Sequence, residues 1–600
     1  MIAHIYPFTR LPRKFGFFDY KIPEGMTIGV GDLVRIPLRQ RTLFGVVSSL
    51  SETSTFPRLS SIEECIAPSF LSEGDLKRFE ILAEELFLSP ANLFQFVFRD
   101  YRIDAPSPSI ITQEKTSLSL SSDDATRLQA FAASLEASTP SLLECSAANE
   151  AALCYLLRKK YKKQILIICP RANIAESLTQ RLPLLRAVCL TGSTKPKERA
   201  AIISAWRRGD IDTLITTRQG ALLPAKALNL VIVLDSGSDD YSLKNRNPRF
   251  DARLAARLQA LQHNIPYLET ARLAAPEHLQ KPWSYTAQDR SDIQLTDLSD
   301  TSTYSDIPLI RAPLLARISE ALDASQRILL IHNQKGFAKR LECLACHAIP
   351  TCRCGEVPDI RIKDLRCNHC GEEMWIPNTC PTCGADRLKQ KGVGSSRLME
   401  LLQKVLPSAR ISLHDKEHIE LASSDIVIST EYFFKSTHHN FFPRIFSLIA
   451  DLSFDANFIS LDYNAMHGAA ERLSRLTALQ YDQRANYLVQ TWVPDKLRAL
   501  SGKSYLNDEL TIREKYKLPP FKRRLRLIDK NVSSAYKDTL TKLKERGFDL
   551  RMIDDVRSEM FYEDASISSL APLFNSLPDQ VIIETDLPTY AFTSRRYASK

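Results

Sequence analysis

The sequence predicts a multidomain α/β protein: two α/β lobes in series, the second interrupted by a cysteine-rich insert, between a small β-rich N-terminal domain and a small α+β C-terminal domain. Three observations carry this reading. The chain has 600 residues, too many for one core at roughly 150 residues per domain. From about residue 120 apolar strands alternate with helical segments, the pattern of βαβ crossovers and parallel sheets. Eight of the 13 cysteines fall between Cys343 and Cys383.

Apolar residues make up 44% and charged residues 25%, as in ordinary soluble domains, so a disordered polyampholyte or a fibre is excluded. No apolar run approaches the roughly 18 residues of a membrane span. The N-terminus lacks the uninterrupted apolar core of a signal peptide. The expected compartment is cytoplasmic, with no membrane partner. Lys and Arg number 79 against 70 Asp and Glu, a net charge of +9, which permits a polyanionic partner without requiring one.

Residues 1–105 are expected to form the first domain. FFDYKIP, LVRIPL and TLFGVVSSL read as strands, with EGMTIGVGD as a turn-rich link. Residues 70–99 place Leu76, Phe79, Leu82 and Leu86 at helical spacing, and DAPSPS at 104–109 is a linker. The first lobe spans 118–290, with helices ATRLQAFAASL, EAALCYLLRKKYKK and KERAAIISAWRRG and strands QILIIC, AVCLTG, DTLITT and LNLVIVLD. RKKYKK at 158–163 ends its helix, where cations complement the dipole. The second lobe spans 300–515, with strands RILLIHN, DIVIST and IFSLIADL and the cysteine insert at 341–386. Residues 520–600 carry FKRRLRLIDK, the helix SAYKDTLTKLKERG and the strand QVIIETDL. No repeat with a period of about 20–50 residues is present.

The cysteines pair as Cys343-x2-Cys346, Cys352-x-Cys354, Cys367-x2-Cys370 and Cys380-x2-Cys383. A two-residue spacing lets both thiolates meet one tetrahedral Zn²⁺ at about 2.3 Å, and two pairs complete a four-ligand structural site. Eight cysteines make two zincs. In a large chain expected to be cytoplasmic this clustering indicates metal before disulfide. Cys352-x-Cys354 is one residue short and predicts a strained knuckle. His347 is either a substitute ligand or a surface histidine.

These pieces, in this order, resemble a known family. FFDYKIPEGMTIGVGDLVRIPLRQRTLFGVV, TTRQGALLPAKALNLVIVLD with DDYSLKNRNPRFDARLAA, NQKGF before the cysteines, WIPNTCPTCG, QTWVPD and LPPF are similar to the primosomal protein N′ (PriA) family of replication-restart DNA helicases. The resemblance implies a domain that holds the 3′ end of a DNA strand and two RecA-like lobes with a two-zinc insert. It also implies a C-terminal DNA-binding domain. The family's winged helix is not expected here, because too short a stretch follows the first domain. The implied partners are DNA forks, 3′ ends, single strands, other primosome proteins and single-strand-binding protein. The implied cofactors are zinc, ATP and Mg²⁺. By the family's interleaved pairing, Cys343, Cys346, Cys380 and Cys383 hold one zinc and Cys352, Cys354, Cys367 and Cys370 the other. Phe18 and Asp19 stand where the family contacts a terminal base, unless they are core and turn residues of a β module. Arg35, Arg39 and Arg41 are the implied phosphate contacts. Lys522 and Arg523 in FKRRLRL, with SRRY at 594–597, are either further phosphate contacts or a solvated face.

The ATPase motifs are expected to be lost. A phosphate-cradling loop needs glycines, a Lys and a Ser or Thr. The chain has no glycine between Gly74 and Gly192, and Ala147, Ala148 and Asn149 stand about where the family has Gly, Lys and Thr. The family's Asp-Glu-Glu-His corresponds to Asp235-Ser236-Gly237-Ser238, which loses the water-activating Glu and leaves Asp235 as a strand-end turn residue rather than a magnesium ligand. In TALQYDQRANYL, which replaces an arginine-rich motif, only Arg484 could reach a phosphate. His438-His439 in KSTHHNFFP reads as a retained loop. The expected function is branched-DNA and 3′-end recognition in replication restart without ATP turnover. The alternative is an active ATP-dependent 3′→5′ DNA helicase.

Overall fold

A computed structural model describes the chain except residues 102–107, 109–121, 138, 182–186, 244–246, 288–292, 308, 334–339, 347, 353–356, 361–363, 368–371, 392, 416–422, 436–444, 459–461, 554–555, 564–566 and 600. It divides into two units: Met1–Gln288 with Leu506–Lys600, and Asp289–Tyr505.

The first unit begins with an antiparallel sheet of β1 (Ile2–Pro7), β2 (Phe18–Lys21), β3 (Leu33–Leu38), β4 (Arg41–Ser51) and β5 (Glu64–Ala67), in the order β2-β1-β4-β3-β5. Alternate residues Ala3, Ile5, Val34 and Ile36 are fully buried, as one covered face requires. β1 and β5 were not among the expected strands. β1 is short and ends in Pro7, and its place between β2 and β4 comes from long-range pairing. Gly31 has φ +88°, and a Cβ there would lie 2.0 Å from the Leu71 carbonyl oxygen, so only glycine fits. The helical stretch at 70–99 is two helices, α1 (Glu73–Glu85) and α2 (Pro90–Phe98). Ser72 and Asp75 form a capping box on α1, and Pro90 starts α2, where its missing N–H costs nothing.

After α3 (Ser122–Ser134) come β6 (Ser141–Glu144), α4 (Ala147–Lys160), β7 (Gln164–Ile168), α5 (Ala172–Arg181), β8 (Ala187–Leu190), α6 (Pro196–Arg208), β9 (Thr213–Thr216), β10 (Leu228–Val233), α7 (Ala252–His263), β11 (Tyr267–Ala271) and β12 (Ser284–Thr286). The residues between Phe98 and Ser122 are too few for a further domain. The strands form one parallel sheet, ordered β12-β6-β11-β10-β7-β9-β8. The four expected strands are β7 to β10; β6, β11 and β12 join by parallel pairing across the chain.

The C-terminal domain belongs to this unit. Its strands Arg523–Ile528, Leu550–Met552, Arg557–Tyr562 and Ile582–Thr585 form an antiparallel sheet. Phe87, just after α1, enters its core and meets Phe574 edge-on at 4.8 Å. Glu85 of α1 is buried and accepts from Arg523 Nη1 at 2.8 Å and from Arg596 Nη1. Arg257 of α7 reaches Glu269 and Glu277, each at 3.2 Å, and donates to the Pro588 carbonyl at 2.7 Å. Arg78 of α1 is buried and contacts Asp75, Gln262 and the Leu222 carbonyl. Three buried guanidinium clusters thus join the N-terminal module, the first lobe and the C-terminal domain.

In the second unit six parallel strands run in the order 294–297, 486–491, 448–451, 328–331, 426–429, 411–414. The first, Gln294–Asp297, is the largely polar QLTD, so this lobe begins before residue 300. A polar sequence suits an edge strand. The insert leaves the lobe on an antiparallel stem, Arg340–Cys343 against Leu388–Lys391, and carries a three-stranded sheet. Among the described residues no single helix is long and apolar enough to cross a membrane.

Glu85→Ala removes the buried carboxylate that Arg523 and Arg596 share. It should destabilise the first unit by about 3–5 kcal/mol, seen as a lowered first transition in thermal unfolding. An unchanged transition would mean that the cluster does not couple the domains.

Candidate nucleic-acid interface and metal centre

The antiparallel register of β1 and β2 sets His4 opposite Asp19. His4 Nδ1 lies 2.7 Å from Asp19 Oδ1, and Ser54 Oγ donates to Asp19 Oδ2. Asp19 is 5% exposed at its side chain. Its two contacts leave acceptor capacity, since a carboxylate offers about four lone pairs. Aromatic residues lie next to this pair in the chain. Phe17 packs on His4 at 4.5 Å, and Phe15 lies 6.2 Å from Phe18. Phe15 and Phe17 are exposed, as is Phe56 nearby in sequence to Ser54; Phe18 is half-buried against the module's second core. Exposed aromatic faces beside a held carboxylate suit an unstacked base. Phe18 and Asp19 were singled out from the sequence, whereas His4, Ser54, Phe15 and Phe17 were not. The run Phe15-Gly16-Phe17-Phe18 was the available signal. Arg39, at φ +56°, and Arg41 stand exposed at the β3–β4 hairpin; Arg35 pairs with Glu64 at 2.6 Å on the surface.

In the first lobe, the expected phosphate-loop position is the link from β6 to α4. Only Cys145 and Ser146 separate the two elements. Ser146 caps α4 by accepting from the Asn149 backbone N–H, and Asn149 Nδ2 donates to Asp124. Glu150, in the first turn of α4, is buried. It accepts from Thr270 Oγ1 at 2.6 Å, from the Asp235 N–H at 3.1 Å and from Arg272 Nη2 at 2.9 Å. Arg272 also donates to the Cys145 carbonyl. Burial works against the Arg272 charge, but Glu150 and Asp235 reverse that and hold its pKa above the ordinary guanidinium range. Asp235 follows β10, buried, with φ +50°. Arg484 lies in the second unit, exposed, at φ +52° between the helix Ala465–Gln483 and the strand Asn486–Thr491. Glu150, Thr270 and Arg272 were not anticipated, because what joins them is the placement of β11 beside β6.

In the insert, Cys343, Cys346, Cys380 and Cys383 bring their sulfurs within 4.8 Å of one another. Cys343 and Cys383 are 3.6 Å apart, and Cys346 and Cys380 3.7 Å. Four sulfurs about 2.3 Å from one tetrahedral zinc would have this spacing, so the set fits zinc. Gly384 takes φ +75° to turn the second knuckle. Although desolvation raises it, Cys380 is held down to about 6 by the backbone N–H groups of Cys383 and Thr382, which favours the thiolate a metal needs. Of the second set, Cys352 and Cys367 are buried, and Cys352 donates to Glu372 at 3.2 Å. Cys354 and Cys370 lie outside the described residues, as do His347, His438 and His439.

Comparison with known proteins agrees with this arrangement. The model of the PriA 3′ DNA-binding domain matches residues 10–98, and that of the helicase conserved C-terminal domain matches residues 148–250. Replication restart protein PriA of Rickettsia felis is 23% identical over 547 residues, 84% of this chain and 83% of that protein. The Rickettsia conorii protein is 23% identical over 565 residues, 86% of each chain. The Haemophilus influenzae protein is 26% identical over 400 residues, 60% of this chain and 54% of that one. Over most of its length the chain is similar to PriA replication restart proteins.

The C-terminal arginines differ from what the PriA resemblance implied. Arg523 is 4% exposed and engaged by Glu85, so it is not offered to a DNA phosphate. Its neighbours on the strand face carboxylates: Arg524 pairs with Asp586 at 3.1 Å, and Arg526 with Glu559 at 3.3 Å. Arg596 of SRRY pairs with Glu84 and Glu85. Lys522 is half-exposed and Arg595 exposed. Alternation along a strand buries every second residue, which is why an arginine-rich strand here is not a basic surface. In RKKYKK, Arg158 and Lys160 donate to backbone carbonyls near the end of α4 or on α3, in keeping with cations at a helix end.

The cysteine set yields a direct expectation. Metal analysis should find zinc bound to the purified chain, with Cys380→Ser releasing one equivalent to a chromogenic chelator while the two lobes stay folded. No zinc in the unsubstituted protein would overturn the assignment.

Proposed function

We propose that this chain acts in replication restart as a DNA-binding factor that recognises branched DNA through a free 3′ end, and that its first lobe serves as scaffold and does not turn over ATP. The observation that carries the reading is the Asp19 carboxylate, oriented by His4 and Ser54, with Phe17 packed on His4 and Phe15 near Phe18; Asp19 lies inside the segment that matches the 3′ DNA-binding domain model. An aromatic face stacks on any base, and a carboxylate accepts from a base N–H or a 3′-hydroxyl. Both groups favour a strand end over a continuous strand. Arg39 and Arg41 add salt-sensitive, sequence-independent phosphate contacts.

The loss of ATP turnover is supported by chemistry at the β6–α4 junction. A two-residue link capped by Ser146 has no run of free N–H groups to wrap a phosphate. Arg272 and Glu150 neutralise each other beside it. The residues present do not fit ATP and Mg²⁺ in the manner of a P-loop. Zinc has a structural part only, because four cysteine ligands leave no open position.

Forks with a free leading-strand 3′ end should bind about five- to tenfold more tightly than the same forks with that end blocked, the worth of one or two hydrogen bonds. Asp19→Ala should erase the difference and leave duplex affinity intact, measured by fluorescence anisotropy. Equal affinity for free and blocked ends in the unsubstituted protein would contradict the proposal.

A further inference from the structure

A pocket of about 650 Å³ opens between the N-terminal module and the carboxyl ends of β7, β8 and β9. Arg10 and Arg99 come from the module; Arg171, Arg199 and Arg218 come from the lobe. Among the described residues the one acid in its lining is Asp240. That carboxylate is already engaged, taking Arg171 Nε at 2.5 Å, while the Asp240 carbonyl takes Arg218. Arg199 is 9% exposed at its side chain. It donates to the carbonyls of Gly192 and Thr194 and to Gln219 Oε1, with Asp100 no closer than 3.7 Å and its Nε without a partner. Neutral oxygens take its hydrogen bonds, and the one carboxylate near it, Asp100, is shared with Arg99 at 3.4 Å.

Five guanidiniums against two carboxylates, Asp240 in the lining and Asp100 beside Arg99 and Arg199, leave a positive concavity of the size that small-molecule sites occupy. Its walls are low-dielectric protein, which concentrates the field. The amino end of α5 reaches the same pocket through Ala172 and adds its dipole. A compact polyanion suits such a concavity. A DNA strand spreads one charge per nucleotide along an extended backbone, whereas a nucleoside oligophosphate gathers several at one end, and arginine forks suit phosphate oxygens. Phe96 in the same wall supplies an aromatic face for a base.

We propose that this pocket is a site for linked phosphates, of the kind a nucleoside oligophosphate carries. It is separate from the β6–α4 junction and goes beyond the DNA-end reading, in which it has no part.

The test is calorimetric titration of the full chain in magnesium-free buffer with inorganic tripolyphosphate, then with ATP and GTP. One tripolyphosphate should bind per chain, with orthophosphate at least about tenfold weaker, because fewer charge-assisted bonds form. ATP or GTP binding more tightly than tripolyphosphate would show that the nucleoside is recognised too; equal affinity would show that the phosphates suffice. The exposed pair Arg10→Ala with Arg99→Ala should weaken binding about tenfold or more without altering the melting temperature. Arg199→Met provides a second variant from the opposite wall. Absence of saturable tripolyphosphate binding, or binding indifferent to the Arg10/Arg99 pair, would overturn the proposal. So would a single-stranded oligonucleotide of about 12 nucleotides binding in dependence on that pair while tripolyphosphate does not, since the pocket would then be a strand-binding track.

Discussion

The buried Glu150 carboxylate is the interaction on which the first lobe depends. It sits in the first turn of α4, where the helix dipole favours negative charge, and draws together four pieces of chain: α4, the end of β10 through the Asp235 N–H, β11 through Thr270, and the following residue Arg272. A helix start behind a parallel strand is a common place for a phosphate to bind. Here the protein supplies its own anion and its own cation. Removing either would strand the other in the interior, which costs far more than the pair itself contributes. The junction is thus stable without a ligand, and the glycines that would let a phosphate approach are absent from the sequence.

The same logic operates on a larger scale in the rest of the first unit. Glu85, Arg257 and Arg78 are buried charges whose partners come from different domains. Such clusters contribute little net stability compared with apolar packing, but they penalise every arrangement in which a partner is missing. They fix the N-terminal module against the first lobe and the C-terminal domain, so that the aromatic surface around Asp19 is carried on a rigid support. Preorganisation of this kind lets a small contact, one base and one hydroxyl, discriminate between a strand end and a continuous strand.

Much of this was legible in the sequence. The zinc knuckles were, because CxxC spacing is a local constraint that survives any surrounding fold, and Cys343, Cys346, Cys380 and Cys383 do converge. The strands β7 to β10 were, because β8 is apolar throughout, β7 and β10 carry one polar residue each, and β9 is a Thr-Leu-Ile-Thr run, in keeping with buried parallel strands. By contrast β6 and the edge strand Gln294–Asp297 are four residues long with little apolar pattern, and only pairing with distant strands makes them strands. Arg523 misled for the same reason. Composition marked FKRRLRL as basic, yet alternation turned that arginine inward to a glutamate more than four hundred residues earlier in the chain. His4 and Ser54 escaped notice because their role exists only once the β1–β2 register is known.

The most direct test is multiple-turnover ATP hydrolysis by the full chain with and without forked DNA. Hydrolysis at the level of the buffer blank in both conditions is the predicted result, with Arg272 and Glu150 neutralising each other at the β6–α4 junction. A DNA-stimulated turnover of about 1 per second or more, within the ordinary enzyme range, would contradict it.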